Sequence, residues 1–446
     1  MKTAVSAVLA RRVPGSQLLE SWQWTFGQIG KGIWLALNAP KALVPRPAHV
    51  AAERVVDFDF ASIEGAEADV HAAWRRLHEG PDLFWTPRKG GHWVVTRAAL
   101  IESILLDPAT FSNEETVLPR GSKPLRLLPL EANPPEHQHY RGLVAGWFTP
   151  KAVSKMRPGV QALTIELIEK MLPNGGCEFV SECAKRLPIA IFLKLVNLPA
   201  EDREKLLHWT ETAVRSKSAL QILGAFLRTN NYIEGWIRRR RAEPGDDLFS
   251  AIVNGRIQGR PLTHAEIQGM LTVILFGGLD TVAAMLAFMT KFLAENPGHR
   301  QQLIDHPELI PNAIDELMRR YGIVNLSRIV ARDCILDGVR LKQGDMIHIP
   351  NGLFGVDERH ISDPLKVDFT VPFNPNHHAS FGMGIHRCVG ALLARMELAV
   401  FLEEWLKRIP DFSIAPGERP RTASGQVNGV VYLPLVWKQE KICARE

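Results

Sequence analysis

The 446-residue chain is poor in cysteine, in net charge and in uninterrupted hydrophobic runs. Its five cysteines (Cys177, Cys183, Cys334, Cys388 and Cys443) are odd in number and scattered. That excludes a disulfide framework and a closed zinc site, and it fits a reducing, cytoplasmic compartment. A net charge of +5 is too small to argue for nucleic acid. The one basic cluster, Arg238 to Arg241, precedes Ala-Glu-Pro-Gly-Asp-Asp and reads as a solvated helix end. No internal repeat and no Gly/Ser linker divides the chain. Length alone suggests two or three domains, but the pattern predicts one, residues 51–446, after a leader at 1–50. Arg11 and Arg12 cut the opening apolar run too early for a secretory signal. Residues 17–38, with Trp22, Trp24, Phe26 and Trp34, read as an amphipathic helix on the protein's own surface, ahead of a membrane-surface anchor. Only Met270–Met289 is long enough to cross a bilayer. Its Asp280 would cost at least ~2.5 kcal/mol at mid-membrane. The segment is therefore expected to be a buried core helix.

What is present is mainly helical periodicity. Glu136 to Ala294 reads as helix punctuated at Pro150, Pro158, Asn174-Gly175-Gly176, Pro199, Pro244-Gly245 and Gly259-Arg260-Pro261, and a short helix follows from Pro311 to Tyr321. Hairpins are predicted at Gly90-Gly91, at Asp337-Gly338 and in the tail at 425–431. Residues 112–135 form a proline-rich loop whose length points to function.

Three motifs carry chemistry. In Phe381-Gly382-Met383-Gly384-Ile385-His386-Arg387-Cys388-Val389-Gly390, glycines let backbone approach a flat group. Cys388 precedes a helical run, where the dipole and free N–H groups favour a thiolate, a strong axial ligand for haem iron. A lone Gly-x-Gly turn with an inert cysteine is the plainer reading of a weaker motif. Second, a helix from about His264 to Asn296 would span roughly 50 Å. Gly277 and Gly278 inside it cost about 1 kcal/mol each relative to alanine. Either another helix packs closely there or the ladder opens into a groove, with Asp280 and Thr281 as a carboxylate–hydroxyl pair suited to proton delivery. Third, Glu316 and Arg319 share a helix face, by default as a surface ion pair.

In this order and at these separations the motifs resemble the cytochrome P450 family, over about residues 55–438. Gly90-Gly91-His92-Trp93, Pro134-Pro135-Glu136, Phe276 to Thr281 and Arg408 to Gly417 are most similar to its bacterial camphor-hydroxylase group. The resemblance implies a mainly α, triangular helical prism with a small β-region. It implies haem b, with Cys388 as the axial thiolate, and O2 as co-substrate for hydroxylation. Electrons would come from NAD(P)H through a flavoprotein reductase and a [2Fe-2S] ferredoxin docking on a basic proximal face, where Arg141 stands out. Thr281 would steady bound oxygen and Asp280 would relay protons. Arg141, Arg328 and His386 would meet the haem propionates, with Phe381, Gly382 and Gly390 shaping the loop. Glu316 and Arg319 would brace the proximal side. A monomer without a membrane span or nucleic-acid partner is expected.

Three departures from that group stand out. The tyrosine that hydrogen-bonds camphor's carbonyl becomes Leu125, the acid two positions before the propionate arginine becomes Leu326, and no arginine lies between Asp368 and Phe381 to join the Glu316–Arg319 pair. A pocket of Leu125, Val273, Phe276, Gly277, Val324, Leu326 and Val427 no longer favours a matching carbonyl so strongly. The expected substrate is a compact monoterpenoid such as 1,8-cineole, with norisoprenoid or camphor-like ketones next. A peroxygenase usually replaces the acid–alcohol pair, and a non-catalytic haem sensor needs no proton relay.

Overall fold

A computed structural model describes residues 43–438 except 122, 124, 217, 373 and 375. The amphipathic 17–38 stretch, Cys443 and most of the expected leader lie outside them. Nine helices position the site: α1 (Glu136–Ala145), α2 (Pro150–Met171), α3 (Arg186–Leu195), α4 (Arg203–Arg215), α5 (Ala219–Ala242), α6 (His264–Leu279), α7 (Thr281–Glu295), α8 (Ile310–Arg320) and α9 (Ala391–Arg408). Against them lies a five-stranded sheet of β1 (Leu83–Thr86), β2 (His92–Val95), β3 (Phe111–Ser112), β4 (Asn325–Val330) and β5 (Met346–Pro350), in the order β1-β2-β5-β4-β3. Only β2 and β5 run parallel, with Ile347 opposite Trp93. A tail hairpin pairs β6 (Arg421–Ala423) with β7 (Gly429–Tyr432).

The hairpin expectations hold for a stereochemical reason. Gly90 and Gly91 take φ of 85° and 80°, and Asp337 and Gly338 take 50° and 72°, the left-handed geometry that tight turns between paired strands require. Pro158 is different. It lies inside α2 instead of ending a helix, so packing overrides the local preference there. Arg240, expected in solvent, is buried and pairs with Asp247 at 3.2 Å.

The apolar stretch is a core element. Helix α6 opens on a capping box between Thr263 and Glu266, and Glu266 is also gripped by Arg260 and Tyr140. The Arg260 guanidinium holds the Glu266 carboxyl down at about 2. The expected single helix breaks at Asp280 (φ −108°, ψ −35°) and continues as α7, most of whose residues are buried. By length and composition His264–Glu295 could cross a bilayer, yet 67% of its most apolar window is buried in the fold.

Apart from Ser112, which ends β3, the 112–135 loop contains no helix or strand among the described residues and is ordered from within. Glu131, fully buried, accepts from the Thr116 N–H and Oγ1, from the Leu127 N–H, and from Lys123 Nζ at 2.9 Å. An internal ion pair there replaces regular structure in satisfying buried polar groups.

Two histidines in the sheet make stability depend on pH. His92 and His348 are buried with ring centroids 5.9 Å apart, and Nε2 of each lacks a partner among the described residues. Burial pushes the His92 imidazole down to about 3, and His348 falls well below its ordinary value for the same reason, reinforced by His92. Because the folded pKa values are depressed, their stabilisation is fully present above about pH 6.5 and is lost as pH falls from there toward the folded values. Each such histidine adds a slope of about 1.4 kcal/mol per pH unit inside that window. Urea midpoints measured between about pH 7 and pH 5 should fall, and His92→Phe should shallow the fall by about one proton's worth. An unchanged slope would refute the assignment.

Candidate active site

The Cys388 loop is held by backbone geometry. Gly382 and Gly384 adopt φ of 68° and 64°, a region costly for other residues, and a 3-10 turn spans Gly384–His386. The Cys388 N–H donates to Phe381 O at 2.8 Å, closing the loop. Gly390 is the N-cap of α9, so Cys388 sits just ahead of the helix, as its motif implied. Phe381 stacks under the Arg395 guanidinium at 4.6 Å. Cys388 is exposed, but to space deep in the fold. Burial raises its thiol above the ordinary value, against the opposing pull of the Gly390 N–H and then of Arg141, Arg387 and Arg395. The helix end and these cations favour the thiolate, burial favours the thiol, and binding of a metal cation would displace the proton.

Beside the loop is a cluster of basic side chains with no acid hydrogen-bonded to them among the described residues. Arg328 is fully buried on β4 and donates only to Ser327 O at 2.9 Å among the described residues. Burial holds its pKa down at about 10. Arg141, on α1, donates to Arg387 O at 2.7 Å. His386 is pushed down to about 3 by burial and then by Arg328, His137 and Arg141, with no carboxylate among the acting charges. His137 was missed in the sequence. It lies one turn before Arg141, on the same face of α1, with its ring 4.4 Å from that of His386. His137 Nδ1 and His386 Nε2 are buried and lack hydrogen-bond partners among the described residues. Such a cluster is costly unless anions meet it. Two carboxylates of a flat cofactor above Cys388 would satisfy all four residues, so the group implied by the motif fits the residues present.

Across from the loop, the α6–α7 break resolves the two readings of its glycines, one for each. A Cβ on Gly278 would strike the Phe192 ring of α3, so that glycine exists for helix packing. A Cβ on Gly277 would meet nothing within 4 Å. Gly277 thus faces open space, and Val273, Phe276 and Thr281 are also only partly covered on an otherwise buried helix pair. Thr281 Oγ1 donates to Gly277 O at 3.1 Å. Asp280 is buried and accepts a two-pronged bond from Arg215, at the end of α4, at 2.5 and 2.8 Å. The pairing raises the Arg215 guanidinium against its own burial. Arg215 was missed too. A carboxylate inside an apolar helix demands a cation, but nothing local says which one.

Of the expected pocket residues, Leu125, Val273 and Phe276 share one apolar cluster with Leu127, Phe226 and Ile222. The Phe226 and Phe276 rings meet edge-on at 5.1 Å. Val324 and Val427 face each other in a β-bridge. Leu326 approaches the loop, 4.0 Å from where a Cβ on Gly382 would sit. Glu316 and Arg319 correct the default of a surface pair. They are buried, bonded at 2.7 and 2.8 Å, and Arg319 also donates to the carbonyls of Gly355, Pro364 and Lys366. The Asp368 N–H donates to Glu316 Oε1 at 3.1 Å, so backbone groups stand where the missing arginine was expected.

The family model described as Cytochrome P450 matches residues 216–436. The chain is 32% identical over 409 residues to "Probable cytochrome P450 127A1" of Sinorhizobium fredii, covering 88% of this chain and 97% of that protein. It is 30% identical over 382 residues to "Steroid C26-monooxygenase" of Mycobacterium tuberculosis, covering 83% and 94%. Among solved structures it is similar to "Crystal Structure of Cytochrome P450 CYP101C1", with a TM-score of 0.81, 39% identity and coverage of 88% and 100%. It is likewise similar to "Crystal Structure of CYP101J2", with a TM-score of 0.80, 37% identity and coverage of 89% and 100%.

The two glycines should separate in mutation. Gly278→Ala should cost about 1–3 kcal/mol by overpacking against Phe192, whereas Gly277→Ala should gain up to about 1 kcal/mol of helix propensity. Denaturant midpoints of the two variants test this, and equal shifts would contradict it.

Proposed function

The chain belongs to the cytochrome P450 family, and from that premise we propose that this monooxygenase hydroxylates an unactivated C–H bond of a compact apolar terpenoid, 1,8-cineole or a similar monoterpenoid first. A norisoprenoid or camphor-like ketone is the second reading. The observation that carries the proposal is the cluster around Leu125, in which Leu127, Phe226, Val273, Phe276, Val117, Ala213 and Ile222 are all hydrocarbon. A ligand placed among them gains from burial and finds no donor for a carbonyl. Gly277, Val324, Leu326 and Val427 complete the proposed lining.

The haem, when bound, supplies the activation of O2 that puts one oxygen atom into the C–H bond and releases the other as water. Cys388 would be its axial thiolate. Arg328, Arg141, His386 and His137 would take the propionates, and Phe381, Gly382 and Gly390 would shape the loop. Asp280 and Thr281 would move protons, the carboxylate as the relay and the hydroxyl as the last donor above the pocket. Glu316 and Arg319 would keep the proximal side in register.

Electrons would arrive from NAD(P)H through a flavoprotein reductase and an acidic [2Fe-2S] ferredoxin. Around the loop Arg387, Ile385, Leu392 and Leu106 are exposed, and a cationic, partly apolar surface of this kind suits such a partner. A cytoplasmic monomer accords with the reduced cysteines.

Three measurements test this. Titrating the purified haem protein with terpenoids while recording the haem spectrum should give the strongest response with cineole or ionone. A stronger response to camphor would sink the substrate assignment. Turnover should need ferredoxin, reductase and NADH, and product formed with peroxide alone would favour a peroxygenase. Thr281→Ala should leave NADH consumption running without matching product, and tight coupling in that variant would count against its role.

A further inference from the structure

We infer that the turn between β6 and β7 positions the relay carboxylate, with Gly429 leaving the room in which Arg215 is held against Asp280. The inference rests on reading Asp280 as part of the proton relay. It begins from one face of the Arg215 guanidinium, which bonds both Asp280 oxygens. Its other neighbour is Gly429: a Cβ there would lie 2.8 Å from Nη2, 3.2 Å from Nε and 3.3 Å from Cζ of Arg215. Arg215 Nε is buried and has no hydrogen-bond partner among the described residues, so the two bonds to Asp280 and packing on this glycine orient the side chain. Gly425 does the same for the adjoining backbone, since a Cβ there would lie 3.0 Å from Val214 O.

Neither glycine is needed for its own backbone conformation, because neither has a positive φ. Space is the remaining reason for glycine. The turn itself is not free to retreat. Asn325 holds it through Gly425 O at 2.6 Å and Gln426 O at 3.0 Å, and the Asn428 N–H donates to Ile323 O at 2.7 Å. A methyl group on Gly429 must therefore move the flexible partner, the guanidinium, off the carboxylate. The same turn carries Val427, opposite Val324 in the proposed pocket. One rigid turn thus touches the substrate space and fixes the cation that neutralises Asp280.

The test is a mutant cycle on the haem-loaded protein with Gly429→Ala, Arg215→Met and both together. Gly429→Ala alone should lower the melting temperature by about 2–4 °C, because a buried carboxylate loses its partner. In the Arg215→Met background, where the guanidinium is gone and the methyl has room, it should cost almost nothing. Equal losses in the two backgrounds would mean that Gly429 serves only the turn, and no loss in the native background would mean that Arg215 is not clamped. Either result overturns the inference. Product formed per NADH, with 1,8-cineole as probe, should fall in Gly429→Ala and fall no further when Arg215 is already replaced. Thermal coupling together with full product yield in Asp280→Asn would uphold the clamp and overturn the relay reading instead.

Discussion

A carboxylate in the middle of an apolar helix is tolerated only if a cation meets it, and much of the distal half of this molecule follows from that demand. Asp280 interrupts a helix pair whose other residues are almost all hydrocarbon or small. Alone, the charge would be expelled or neutralised. Arg215 supplies the compensation, and to reach it α4 must end where it does, Gly278 must admit Phe192 of α3, and the tail turn must be glycine beside the guanidinium. The ladder breaks at this charge, and Thr281 beside it donates to Gly277 O.

The opposite situation holds near Cys388. Arg328, Arg141, His386 and His137 form a basic cluster in which, among the described residues, two buried ring nitrogens stay unpaired, and Arg328 is held low in pKa by burial. Some buried charges elsewhere are met inside the fold. Arg319 meets Glu316 and three carbonyls, and Glu131 meets Lys123 and two N–H groups. Under the proposed function, the carboxylates of the cofactor would meet this basic cluster around Arg328.

Much of this was legible in the sequence because it depends on local rules. The hairpins at Gly90-Gly91 and Asp337-Gly338 follow from φ, and the loop around Cys388 from fixed offsets. What escaped depends on distance in the fold. Arg215 stands far from Asp280 in the chain, and no periodicity selects it among the other cations. His137 left a trace, four residues before Arg141 on one helix face, but the ring only acquires meaning beside His386. Cys388 shows the same division between local and distant causes. A helix end is a local feature, whereas the desolvation that outweighs it at Cys388 is set by everything packed around the loop. Pro158 likewise obeys the packing of α2 over its own propensity.

The two kinds of constraint also explain why reaction and substrate separate in this fold. The reaction side is over-determined. Backbone bonds fix the loop, buried ion pairs fix the proximal helices, and Asp280 can neither move nor lose Arg215 without leaving a buried charge. The substrate side is held by dispersion and shape alone, among Leu125, Phe226, Val273, Phe276 and Val427, where exchanging one hydrocarbon for another usually costs under about 1.5 kcal/mol. Under the proposed function, hydrocarbon at Leu125 would therefore change what is bound without disturbing the residues around Cys388 and Asp280. The turn at Gly425–Gly429 is the exception, because it belongs to both sides at once. Retuning the pocket at Val427 is easy only while the glycines on either side of it stay glycine.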